Sequence, residues 1–173
     1  MSMTLQQQAE KSYKNKDFQK AADLYLQAAL LPESEVLYAA EMKNNASVSF
    51  LLAHQPQKAL DVVSGTSELF LQADDRKRGA MALGNQASAL EALGRFSEAM
   101  PLYVQASDTL KELQEPELRS YVLKKISALQ IKTGKQFEAL GSMAAALEDA
   151  PILSPKEKTL KKLTDWVSKL MRR

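Results

Sequence analysis

Apolar residues recur along the chain three or four positions apart, with polar residues between them, as expected for helices with one buried face. Ala, Leu, Lys, Glu and Gln, which all favour helices, dominate the sequence, and no long run of alternating β-branched residues occurs. We therefore expect an all-α fold. The pattern predicts helices over residues 3–15, 18–31, 34–53, 57–71, 74–93, 97–114, 117–133, 136–149 and 155–172.

An internal repeat is visible in the small residues. Ala99 is followed four residues later by Tyr103, and an alanine with a larger apolar residue at that distance recurs at Ala21, Ala59 and Ala139. The four alanines are 38, 40 and 40 residues apart. Small residues also lie twelve positions before each alanine (Ala9, Ser47, Ala87, Ser127) and seven positions after it (Ala28, Thr66, Ala106, Ala146). Such regular spacing predicts stacked helix hairpins whose backbones approach closely at the small residues.

The breaks between helices follow the same period. Gly94 and Gly134 mark the turn inside copies three and four, where copies one and two have Lys16 and Gln55. Each repeat is about five residues longer than a standard helix-hairpin repeat. The extra residues have helical character, so we predict longer helices rather than long loops. We place Pro101 near the first turn of its helix, and Gly65 inside the helix over 57–71, which it weakens.

This register, small residue-x11-Ala-x3-aromatic-x2-Ala with a closing proline at Pro32 and Pro151, resembles the tetratricopeptide repeat (TPR) family in a long-spacing variant of 38–40 residues. The resemblance covers roughly residues 5–151, but the early Trp and the Leu-Gly pair of the family are absent. It implies a right-handed α-solenoid of about four antiparallel helix hairpins. The alternative is another α-hairpin solenoid. We expect one domain over 1–173, with repeats at about 2–33, 34–73, 74–115 and 116–152 and a capping helix over 155–172.

The last segment differs from the four copies. Ser154, Pro155 and Glu157 form a strong helix start. An apolar stripe follows (Leu160, Leu163, Val167, Leu170, with Trp166 and Met171 beside it), and we expect it to cover the last repeat. From Pro155 onward seven basic and two acidic residues give a charge of +5, against +2 for the whole chain. The basic face indicates the solvated outer side of a cap; the alternative is a landing patch for an acidic partner, a membrane surface or nucleic acid.

The sequence contains few residues that could carry catalysis. There is no cysteine, and the single histidine, His54, is predicted in a turn. No glycine-rich phosphate loop or paired-carboxylate pocket is visible, so we predict no enzyme activity, no cofactor and no metal site. No signal peptide or long apolar segment is visible, and we expect a cytoplasmic protein.

In the resembled family, the first helices of the repeats line a concave surface that holds peptides or partner proteins. The corresponding positions here are Gln6, Glu10, Asn44, Asn45, Val48, Asn85, Ser88, Glu91, Tyr121, Lys124 and Lys125. Asn45 and Asn85 occupy the same repeat position, and an amide there can donate to and accept from a peptide backbone. Glu10 would repel a terminal carboxylate, which argues against a clamp for chaperone tails.

We therefore predict an adaptor that binds a protein or peptide segment in its groove. The alternative is a structural scaffold module that associates with copies of itself through the second repeat or the last helix. We expect no small-molecule substrate, and neither nucleic acid nor a membrane as the main partner.

Overall fold

The computed structural model describes residues 3–31 and 35–171, and within them every regular element is an α-helix, which confirms the all-α prediction. The predicted boundary at residues 33 and 34 and the closing proline Pro32 lie outside the described residues. The helices are α1 Leu5–Lys14, α2 Phe18–Ala29, α3 Val36–Leu52, α4 Pro56–Val63, α5 Thr66–Gln72, α6 Arg76–Ala92, α7 Phe96–Glu112, α8 Pro116–Lys132, α9 Gln136–Asp149 and α10 Pro155–Met171. They form two compact units, Met1–Leu102 and Tyr103–Arg173, which are described separately below.

Short turns of one design connect the helices of each hairpin. The turn residue has a positive φ in each copy: Lys16, His54, Gly94 and Gly134. At His54, for example, the backbone N–H donates to the carbonyl of Leu51, and the next N–H, of Gln55, donates to the carbonyl of Phe50. This is the bonding of a left-handed helix end. The sequence suggested Gln55 as the break residue of copy two, but the residue with the positive φ is His54. The single histidine of the chain is therefore the turn residue of this hairpin.

Each hairpin closes at the small residues of the repeat. The twelve small residues of the predicted register are all buried, at 3% exposure or less. Where the position before the central alanine is a serine, its hydroxyl donates to the carbonyl of that alanine: Ser47 to Ala59 at 2.9 Å, and Ser127 to Ala139 at 2.7 Å. These bonds join α3 to α4 and α8 to α9. The predicted close approach is confirmed for these two pairs of helices.

The extra residues lengthen helices in copies two, three and four, as predicted. Helices α3, α6, α7 and α8 each have 17 residues. Pro101 is the sixth residue of α7, which begins at Phe96, so the proline lies in the second turn and not near the first turn as expected. The lost N–H would have bonded the carbonyl of Ser97, but both residues are exposed and water can replace that bond.

One predicted helix, over 57–71, is two helices in the structure. Gly65 adopts φ +80°, and Ser64 before it is extended, so α4 ends at Val63 and α5 begins at Thr66. The Ser64 hydroxyl donates to the carbonyl of Leu60 at 2.7 Å, and the Thr66 hydroxyl to the carbonyl of Val63 at 2.7 Å. The prediction of a continuous helix was wrong because glycine at this position does more than weaken the helix: it allows a left-handed turn that redirects the chain.

We expect Gly65→Ala to lower the free energy of unfolding by about 1–2 kcal/mol, because an L side chain is strained at positive φ. Gly141→Ala is the matched control: Gly141 lies within α9, and a Cβ there would meet nothing within 4 Å. That substitution should raise the free energy of unfolding by about 0.5–1 kcal/mol. Urea unfolding followed by circular dichroism measures both. Equal effects of the two substitutions would contradict the redirecting role of Gly65.

Candidate functional site

A small pocket opens between α3, α5 and α6 in the first unit. It has a volume of about 120 Å³ and contains three of the predicted groove residues, Asn44, Asn45 and Asn85. Its other lining residues are Glu41, Phe70, Arg78 and Met81. The turn at Gly65 helps to form this pocket, because Phe70 reaches it from α5, the helix that starts after the turn.

Asn44 lies at the buried side of the pocket and connects two of its helices. Its side chain is 8% exposed, and its Nδ2 donates to the carbonyl of Ala40 at 3.0 Å and to the Thr66 hydroxyl at 2.9 Å. The first bond lies within α3, and the second joins α3 to the start of α5. Asn44 was predicted as a groove residue, and the structure places it under the surface as a connection between these helices.

The bonds of Asn44 determine which way the neighbouring amide points. A backbone carbonyl only accepts, so the Nδ2 of Asn44 must face Ala40 and its Oδ1 must face away. That Oδ1 accepts from Nδ2 of Asn85 at 3.2 Å. The Oδ1 of Asn85 is therefore directed away from Asn44. Asn45, next to it on α3, is half-buried, and its side-chain amide has no hydrogen-bond partner in the described part of the chain.

Arg78 forms the charged side of the pocket. Its Nε lies 2.6 Å from the carboxylate of Asp75 and its Nη1 lies 3.0 Å from that of Glu41. The guanidinium also stacks over the ring of Phe70, with the centroid at 5.0 Å. The backbone N–H of Arg78, and then its side chain, lower the pKa of Asp75, while both carboxylates raise the pKa of Arg78. One guanidinium thus lies between two carboxylates, which leaves a net charge of about −1 at this side. The exposed Met81 also lines the pocket.

The other predicted residues of the first unit lie on α1, α3 and α6. Gln6 donates to Glu10 at 2.9 Å on α1. Val48 is half-buried on α3, and Ser88 and Glu91 are half-buried on α6, where the Ser88 hydroxyl donates to the carbonyl of Gly84 at 2.9 Å. The structure does not bring Gln6 or Glu10 into the pocket.

The remaining predicted residues lie on α8 in the second unit. Tyr121 is 60% exposed, and Nζ of Lys125 lies 5.9 Å from the centroid of its ring. Lys124 reaches α10, where its Nζ lies 2.5 Å from the carboxylate of Glu157. These residues belong to a second surface, described by itself.

Glu157 attaches the start of α10 to α8. Besides Lys124, it accepts from the backbone N–H of Ser154 at 2.9 Å and from the Ser154 hydroxyl at 2.7 Å, so the predicted helix start is confirmed. The Lys124 bond, followed by the two Ser154 bonds, lowers the pKa of Glu157 to about 2. One carboxylate therefore both caps α10 and pairs with α8.

The predicted apolar stripe of α10 is only partly covered. The most buried residue of the described part of α10 is Thr164, at 1% exposure, with Leu160 and Val167 half-buried on either side. Leu163 is 52% exposed and Trp166 is 59% exposed. The side chains of Leu170 and Met171 lie outside the described residues. The expectation that the whole stripe covers the last repeat was wrong, because the helix is rotated so that burial centres on Thr164.

Two features are absent from the described residues. No group of three or more His, Cys, Asp or Glu side chains could hold a metal ion. No helix within this part of the chain has the length and apolar character required to cross a membrane.

Sequence reasoning missed four lining residues of the pocket: Glu41, Phe70, Arg78 and Met81. One signal was available for Arg78, since Asp75 three residues earlier is a good helix cap and pairs with an arginine at that spacing. Phe70 carried no such signal, because its position depends on the turn at Gly65.

Comparisons with known proteins agree on a helical-repeat fold. The family model described as soluble NSF attachment protein, SNAP, matches residues 2–147. The Rap conjugation gene regulator of the plasmid pLS20, solved in complex with the Phr* peptide, is 16% identical, with a TM-score of 0.72 over 90% of this chain and 44% of that one. BtubC (BKLC) from P. vanneervenii is 15% identical, with a TM-score of 0.73 over 95% of this chain and 72% of that one. No curated protein matches the sequence.

At these identities the two solved structures show the fold alone, and this chain spans less than half the length of the Rap regulator. The comparisons support a TPR-like helical repeat. The narrower assignment to the TPR family stays a prediction, as do the repeat boundaries and the single domain.

Because Asn44 is buried and Asn45 is not, we expect substitution of Asn44, but not of Asn45, to destabilise the fold. Asn44→Ala should lower the free energy of unfolding by about 1–3 kcal/mol, because it removes the bond from α3 to the Thr66 hydroxyl and the acceptor of the Asn85 amide. Asn45→Ala should change it by no more than about 0.5 kcal/mol. Urea unfolding of the two variants tests this contrast, and a stable Asn44→Ala variant would contradict it.

The lowered pKa of Glu157 predicts an acid-sensitive position of α10. A lowered pKa stabilises the folded state above the ordinary value of 4.5, and this contribution is lost as the pH falls from 4.5 towards about 2. The emission and anisotropy of Trp166, the only tryptophan, should report the loosening of α10 over this range. Glu157→Gln should give the loosened signal already at neutral pH, whereas Glu117→Gln on the exposed start of α8 should behave as the unaltered chain. An unchanged signal in Glu157→Gln would refute the attachment.

Proposed function

Since this chain belongs to the soluble NSF attachment protein family, we propose that it is a non-catalytic adaptor that binds a segment of a partner protein across α3 and α6. The proposed binding surface consists of the pocket residues with Asn45 and Asn85 at its centre. No cofactor or small-molecule substrate is part of the proposal. A cytoplasmic location stays a prediction.

The amides of Asn45 and Asn85 carry the proposal. They occupy the same position in consecutive repeats, 40 residues apart, and both lie in the α3–α6 pocket. The bonds of Asn44 leave Oδ1 of Asn85 pointing away from the helix contact, where it can accept an N–H. The Asn45 amide can both donate and accept. An extended peptide presents alternating N–H and C=O groups that pair with such amides without regard to its side chains.

The rest of the pocket favours an uncharged or apolar side chain of the partner. Met81 is exposed and flexible, and thioethers adapt to many apolar shapes. Arg78 is already engaged by Asp75 and Glu41, so it is not free to bind a carboxylate of the partner, and two carboxylates against one guanidinium disfavour an acidic side chain. The partner segment should therefore be held by its backbone and by one aliphatic or aromatic side chain near Met81.

The remaining predicted residues extend this proposal. Val48, Ser88 and Glu91 lie further along α3 and α6 and would lengthen the contact. Gln6, Glu10, Tyr121 and Lys124 are proposed as separate contacts of a longer partner. The Rap regulator, a protein of similar fold, was solved with a peptide, which supports peptide binding as a use of this architecture.

The experiment first identifies the partner through the pocket itself. A photo-crosslinking residue at position 81 captures proteins that contact Met81, and the same residue at position 27, on the exposed side of α2, is the control. NSF, the protein in the family name, is the first purified candidate. We expect a partner that crosslinks at position 81 and not at position 27.

The affinity of that partner is then measured by calorimetry. The double variant Asn45→Ala/Asn85→Ala should weaken binding about tenfold or more, because each net hydrogen bond is worth about 1 kcal/mol. Gln27→Ala removes an amide from another exposed helix face and should leave the affinity unchanged. Equal affinity of all three proteins, with their folds intact, would overturn the proposed site.

A further inference from the structure

An unpartnered apolar edge runs along α10. Leu163 and Trp166 are three residues apart, so their side chains are neighbours on the helix surface, and both are more than half exposed. The opposite edge of the apolar stripe, at Leu160 and Val167, turns towards the rest of the second unit together with the buried Thr164. Within the described residues, the edge of the stripe at Leu160 and Val167 is therefore packed, and the edge at Leu163 and Trp166 is exposed.

Lysines flank this edge on both sides. Lys162 and Lys169 lie four residues before and three residues after Trp166, and Lys156 lies seven residues before Leu163, so each adjoins the apolar pair. All three lysines are exposed. Of the two acidic residues of α10, Glu157 is engaged by Lys124. Asp165, which adjoins Lys162 and Lys169 on the helix surface, offsets one of the three positive charges. The exposed side of α10 therefore combines an indole, an aliphatic side chain and a cluster of positive charge.

We propose that the exposed side of α10 docks onto the surface of an anionic lipid bilayer, with Trp166 and Leu163 at the headgroup level and the flanking lysines on lipid phosphates. This goes beyond the proposed adaptor function, and it lies on a different helix in the other unit. An indole is suited to the membrane interface because its ring is apolar while its N–H can donate to water or a headgroup. Lysine stems extend along the apolar zone and place their charges in the headgroup layer.

Charge decides between a bilayer and another protein helix as the occupant. An apolar helix face packed on Leu163 and Trp166 would lie against an edge bordered by the exposed lysines and would leave their charges without partners. A bilayer containing anionic lipid offers apolar and negative groups at once. Because no helix in the described part of the chain can cross a membrane, the contact is one of a helix lying on the surface.

The only tryptophan of the chain is Trp166, so its fluorescence reports this contact directly. The full chain is mixed with vesicles of phosphatidylcholine and phosphatidylserine in equal parts, and separately with vesicles of phosphatidylcholine alone. We expect a blue shift of the emission and quenching by brominated lipid with the anionic vesicles only. Raising the salt concentration should reverse both, because screening weakens the attraction.

Three variants assign the contact to its residues. Lys162→Gln/Lys169→Gln should lower partitioning into anionic vesicles about thirtyfold, since each lysine near an anionic surface contributes about fivefold. The control Lys14→Gln/Lys20→Gln makes the same change of net charge on exposed lysines of the first unit and should bind as the unaltered chain. Leu163→Ser should lower partitioning about tenfold through lost apolar burial.

Several outcomes would overturn the proposal. One is the absence of any shift with anionic vesicles; another is an equal shift with neutral vesicles. A blue shift that depends on protein concentration without vesicles would instead assign the edge to a second copy of the chain. A shift with polyglutamate but not with anionic vesicles would assign it to an acidic protein partner.

Discussion

The structure depends on the close approach of two helix backbones within each hairpin. A residue of full size at the contact would separate the helices, so every position of the register that lies there is alanine, serine or threonine. The two serines add a bond that alanine cannot make, from their hydroxyl to the carbonyl of the alanine twelve residues later. A hydroxyl buried there without a partner would cost about 1–3 kcal/mol, so the bond also helps to fix the register of the two helices.

The left-handed turn at Gly65 changes which side chains reach the surface between α3 and α6. In a continuous helix over 57–71, Thr66 and Phe70 would follow the direction of α4. Because the chain turns there, Thr66 receives the amide of Asn44 and Phe70 receives the guanidinium of Arg78. The pocket between α3 and α6 is therefore a local departure from the repeat, and it lies beside the two asparagines that the repeat places in register.

The repeat, the helices and the small contact positions could be predicted because they depend on spacing along the chain. Two features could not. The pocket residues Arg78 and Met81 come next to Phe70 only after the turn at Gly65, and a glycine in a helical pattern does not reveal its φ. The rotation of α10 was also missed, because a stripe of leucines shows that a helix has an apolar side without showing which edge of it is covered.

The connection before α10 differs from the turns inside the hairpins. Those turns end a helix on a left-handed residue with two backbone bonds, whereas α9 ends at Ala150 in an extended conformation, followed by the highly exposed Ile152. The backbone therefore sets the direction of the second helix in each hairpin but not the direction of α10. That direction rests on side chains: the ion pair of Glu157 with Lys124 and the burial of Thr164. A change in these side chains would therefore alter the orientation of the last helix without altering the backbone turns of the hairpins before it.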